Sequence, residues 1–173
     1  MNIIESARGN YYPIGKISDA DCVIGHSFGT MTGPDSVNYA LAIYLSERAD
    51  MRPIIVDRTL ADASPKEDEA FAHIVEGEIS NSVGKGVGTW GTLVESKKFM
   101  AVNELSTALM VAQACHIGRV VKQARKLGIE SVVPKGLPDM FEPHSDQRWT
   151  RSKDMWVPRE VLGSFVLRVQ GKL

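Results

Sequence analysis

The run Asp21-Cys22-Val23-Ile24-Gly25-His26-Ser27-Phe28-Gly29 decides the fold. Residues 21–24 are short and apolar, with two β-branched side chains, and they stop at glycine, the pattern of a buried strand feeding a loop. Pro34-Asp35 then opens a helix to about Arg48, with Val37, Ala40, Leu41, Tyr44 and Leu45 at helical spacing. Pro53-Ile54-Ile55-Val56 is a second strand, ending at Asp57-Arg58. Strand, helix, strand in this order predicts right-handed βαβ units and a parallel sheet.

The alternation continues outward. Pro65 after Ser64 predicts a helix over 66–76, with Ala70, Phe71, Ile74 and Val75 on one side. A glycine-rich loop follows over 80–91. Thr92-Leu93-Val94-Glu95 has capping-box spacing, so a helix is expected from there to about Asn103. Leu109-Met110-Val111-Ala112-Gln113 reads as a third strand, 117–127 as a helix stopped by Gly128, and Ser131-Val132-Val133-Pro134 as a fourth strand. A polar segment runs to Asp154. Residues 158–167 suit a closing helix, or a strand through Val161, Phe165, Val166 and Leu167.

The 173 residues fit one domain: 1–18 form an N-terminal extension and 137–173 a C-terminal segment packing on it. A net charge of −1 argues against nucleic acid as a partner but not against a small anion held by a few arginines. Cys22 and Cys115 sit in apolar runs and read as buried thiols. His26, His73, His116 and His144 lack close ligand spacing, so no metal is expected. There is no signal peptide and no apolar window long enough for a membrane anchor, which predicts a cytoplasmic protein.

In a parallel α/β sheet, ligands bind outside the carboxyl ends of the strands. The candidates are Gly25 to Gly29 with Thr30, then Asp57 and Arg58, Gln113 to Arg119, and Lys135-Gly136. Gly25-His26-Ser27-Phe28-Gly29 is a literal G-x-S-x-G, the nucleophile-elbow pattern. Ser27, Asp57 and His116 also follow the chain order of that triad. Two features oppose a hydrolase. Gly33-Pro34 pushes the helix start well past Ser27, since proline inside a helix costs ~3 kcal/mol. Only loop-like sequence precedes the first strand, where an oxyanion-hole strand belongs. As a ligand loop, Gly25-x3-Gly29-x3-Gly33 lets amides approach a bound group, with an anion favoured at the helix N-terminus. It matches neither the dinucleotide fingerprint nor the P-loop, and the glycines at 84, 86 and 88 do not make a P-loop either.

The third strand delivers Gln113 and His116 to the same edge, with Arg119 one helical turn beyond His116. Trp149 beside Arg148 and Arg151 suits stacking on a planar, negatively charged molecule. The segment His116-Ile117-Gly118-Arg119, the Gly25-x3-Gly29 strand end, Glu95, and the tail Arg148-Trp149-Thr150-Arg151-Ser152 resemble the YdcF-like family, which includes the SanA and ElyC branches. Gly91-Thr92 stands where that family is expected to carry Asn-Thr. The resemblance implies a Rossmann-like three-layer sandwich with a mainly parallel sheet, and a small-molecule site with Glu95 in it. It names S-adenosylmethionine as one ligand. The leading expectation is a protein binding a small anionic or nucleotide-like molecule. Ser27 and His116 would be its acid/base groups, Gly25, His26, Gly29, Gln113 and Arg119 its frame, and homo-oligomerisation stays open. A serine hydrolase using Ser27 and His116, and a non-catalytic interaction protein, are the alternatives.

Overall fold

A computed structural model describes residues 3–65, 70–76 and 88–173. Its strands are β1 (Cys22–Gly25), β2 (Ile54–Asp57), β3 (His73–Val75), β4 (Thr107–Val111) and β5 (Glu130–Val132). Its helices are α1 (Ile3–Ala7), α2 (Val37–Arg48), α3 (Arg58–Asp62), α4 (Gly88–Val102), α5 (Ile117–Lys126) and α6 (Lys153–Val169). The strands form one parallel sheet in the order β3-β2-β1-β4-β5. Helices α2 and α3 pack together, as do α4 and α5, with α1 joining α5 and α6. This is the expected α/β, Rossmann-like layered sandwich. No described helix is long and apolar enough to cross a membrane.

The central strands are buried throughout, which explains their unbroken apolar runs. Val23, Ile24, Ile55, Val56, Leu109 and Met110 are wholly shielded from solvent. Gly25 is demanded by packing: a Cβ there would meet Leu45 Cδ1 at 2.5 Å and Leu60 Cδ2 at 2.6 Å.

Two expectations need correction, and a third is met. The helix expected over 66–76 gives way to strand β3, paired with β2 as Ile55↔His73, Val56↔Ile74 and Asp57↔Val75; residues 66–69 lie outside the described residues. A three-residue edge strand is too short to show a period, and pairing with β2 overrides local propensity. Helix α4 starts at Gly88 rather than Thr92. Thr92 lies inside it, its hydroxyl donating to the Gly88 carbonyl at 3.2 Å instead of capping. The glycine-rich stretch through 87 lies outside the described residues. The closing segment is helix throughout, begun by Ser152, whose Oγ accepts from the Met155 amide. Helix α2 starts at Val37, three residues past the expected opening at Pro34 and well past Ser27, with Ser36 as its cap after the Gly33–Ser36 turn.

Candidate functional site

After β3 the chain returns to the far side of β1, so β1 and β4 flank the point where strand order reverses. Loops leaving these two strands diverge and open a crevice. A cleft of about 180 Å³ lies there, room for a small molecule rather than a lone water. Its walls include His26, Ser27, Gly29 and Asp57 from the β1–β2 side, His116 and Arg119 from the start of α5, and Trp149, Trp156 and Arg159 from the C-terminal segment.

His26 extends the β1 ladder by one residue, its amide donating to the Val111 carbonyl at 2.9 Å. Its ring is only 2% exposed, and its Nε2 has no hydrogen-bond partner among the described residues. Burial, then the Arg119 charge, pushes its pKa down to about 3, so the ring is neutral. His116 is likewise held well below the usual histidine range by burial, then by Arg119 and His26. Arg119 Nη2 lies 3.1 Å from His116 Nδ1. A guanidinium has only donors, so Nδ1 must accept and the ring proton must sit on Nε2, which donates to Thr89 Oγ1 at 3.1 Å. The basic nitrogen of His116 therefore faces arginine, not serine.

Arg119 is itself held by buried Glu160, Nε to Oε1 3.0 Å, reaching across from α6. Trp156, one turn earlier, donates from Nε1 to the Cys115 carbonyl at 3.2 Å and sets its ring edge-on to His116. Thus α6 fixes the rear of the cleft. Arg159 lies over the Trp149 ring, 5.3 Å from its centroid, at the outer wall.

The front loop differs from expectation. The amides of Ser27 and Phe28 do not await a ligand. Ser27 N donates to Asp57 Oδ2 (2.9 Å) and Phe28 N to Asn38 Oδ1 (2.7 Å). Asp57 also caps α3 through the Leu60 amide. Burial outweighs these bonds and raises its pKa. The N-terminus of α2 is filled from within the chain: Glu142 Oε1 accepts from the Val37 amide at 3.3 Å. Glu142 is buried, and desolvation lifts its carboxyl to about 7. Gly29, at φ +79°, is required because a Cβ would overlap that carboxylate.

Of the expected site residues, the cleft gathers His26, Ser27, Gly29, Asp57, His116, Arg119 and Trp149. The others lie elsewhere. Gly25 is under Leu45 and Leu60. Thr30 is half-buried outside the lining. Arg58 pairs with Glu76 and Asp62. Glu95 pairs with Lys98 at 2.7 Å on an exposed face of α4. Gln113 is fully buried, accepting from Cys115 N at 2.7 Å and donating to Met140 O and Asp139. Arg151 donates to the Ser145 carbonyl at 2.7 Å. Thr89 and Glu142 carry no signal in the sequence, while Trp156, Arg159 and Glu160 stand with the tail that carries the family resemblance but have no site role read from it. The spacing of Trp156 and Glu160 on one helical face was the available signal; nothing local marks Glu142. No group of three His, Cys, Asp or Glu residues among the described residues could hold a metal. Comparison with family models, curated proteins and solved structures found no match.

Proposed function

We propose that this chain binds a small anionic or nucleotide-like molecule in the cleft between β1 and β4. The observation that carries this reading is His26: a buried ring nitrogen without a partner, in the wall of an open cleft, beside the cation of Arg119. Buried polar atoms are nearly always satisfied, so a ligand atom is the natural partner. Arg119 supplies charge attraction, and Trp149 offers a face for a planar ring. The resemblance to the YdcF-like family, carried by His116 and Arg119, agrees with such a site and keeps S-adenosylmethionine among the ligands to test.

The serine-hydrolase alternative has less support. Both His116 ring nitrogens are engaged, by Arg119 and by Thr89, so neither is offered to Ser27. A nucleophilic serine needs a base within reach.

The test is calorimetric titration with inorganic phosphate, AMP, ADP and S-adenosylmethionine. At least one should bind, and His26→Phe should weaken it by about tenfold or more, the worth of one buried hydrogen bond. Binding by none of them, or binding indifferent to His26→Phe, overturns the proposal. Labelling by a fluorophosphonate that Ser27→Ala abolishes would install the hydrolase instead.

A further inference from the structure

Helix α6 buries one face against the domain and leaves an apolar one in solvent. Trp156, Glu160 and Ser164 are buried against the domain. On the opposite side Met155, Pro158, Leu162, Phe165 and Val169 recur at intervals of three and four residues, the a/d spacing of a helix–helix seam. These side chains lie in the open: Met155 is 52% exposed, Leu162 64%, Phe165 66% and Val169 75%. Val161 and Val166 flank them at 38% each, and Ile4 of α1, which packs beside α6, is 43% exposed. A contiguous apolar strip along a helix about 26 Å long is not an ordinary scatter of surface apolar residues.

We infer that this outward face of α6 is a homodimer seam, packing antiparallel on α6 of a second copy. Self-complementarity points to this occupant. Met155 and Val169 stand equally far from Leu162 along the chain, so a twofold axis at Leu162 sets Met155 of one copy against Val169 of the other. The charges fit the same axis. Asp154 opens the helix and Arg168 closes it, both exposed and on one flank of the seam. Antiparallel pairing brings Asp154 of each copy to Arg168 of the other, and opposes the two helix dipoles favourably. A parallel pair would put these flanks on opposite sides of the seam and lose the Asp154–Arg168 contact.

Sedimentation equilibrium of the full chain should give twice the 19.0 kDa chain mass. Leu162→Asp and Phe165→Asp should each weaken dimerisation by about tenfold or more, since a charge in an apolar seam loses its hydration. Both residues are exposed, so the monomer should stay folded by circular dichroism. Asp154→Arg should weaken the dimer and Arg168→Asp, added to it, should restore it. Leu162→Cys should form a covalent dimer under mild oxidation, because Cys22 and Cys115 are both buried and give no background. A monomeric wild type overturns the inference, whether or not it sediments with lipid vesicles. A dimer that survives Leu162→Asp, or a Leu162→Cys variant that does not cross-link, overturns it equally.

Discussion

Single residues at the strand ends carry tightly defined tasks. Gly25 leaves no room for a side chain between Leu45 and Leu60. Gly25→Ala should therefore destabilise the protein by about 1–3 kcal/mol, an overpacking cost readable as a lower urea midpoint. Glu142 behaves differently because its cost depends on pH. Its folded pKa, about 7, lies above the ordinary carboxyl value of 4.5. Between those values the folded state holds the proton more tightly than the unfolded state. Its contribution is therefore fully present at low pH and lost as pH rises through 7. Glu142→Gln, which mimics the protonated acid, should leave stability near wild type at pH 5. At pH 8 it should raise stability by on the order of 1–3 kcal/mol, seen as a higher melting temperature. Equal effects at both pH values would remove this account of Glu142. The sequence marks the glycines but not Glu142, whose burial depends on a segment folding back over the Gly29 turn from far along the chain.

At the scale of elements, the site is a meeting of α5 with α6. Helix α5 carries His116 and Arg119 to the cleft, and α6 supplies Glu160 and Trp156 to hold them. Removing one partner of a buried ion pair strands the other. Arg119→Ala should cost about 3–5 kcal/mol, so any binding lost in that variant is confounded by unfolding. Adding Glu160→Gln should recover most of this stability in denaturant titrations, and additive losses would contradict the coupling. The βαβ order, helices α2 and α5, and the His116–Arg119 spacing were legible because each element is long or periodic enough to show its face. Strand β3 and the first turn of α4 were not. The former is three residues long, and the latter begins beside residues outside the described set, at a glycine that carries no start signal.

For the whole molecule, two neutral buried histidines give acid sensitivity. A folded pKa near 3 for His26 lies below the unfolded value of 6.5, so stability is full above 6.5 and falls as pH drops toward 3. At pH 4.5 this amounts to about 3 kcal/mol for that ring. The raised carboxyls of Asp57 and Glu160 act with the opposite sign. The histidine effect is therefore read as the difference between wild type and His26→Gln in urea midpoints at pH 7 and 4.5; a difference that does not change with pH would refute it. The sequence by itself determined the α/β class, the parallel strands and the edge where loops gather, because hydrophobic periodicity and glycine stops are local signals. Only the tertiary structure decided what the Gly25–Gly29 loop does. The Ser27 and Phe28 amides and the Val37 amide at the α2 N-terminus, which look open to a ligand in sequence, are satisfied by Asp57, Asn38 and Glu142. Partners that distant are chosen by chain packing, which among the described residues also leaves the His26 Nε2 in the cleft wall without one.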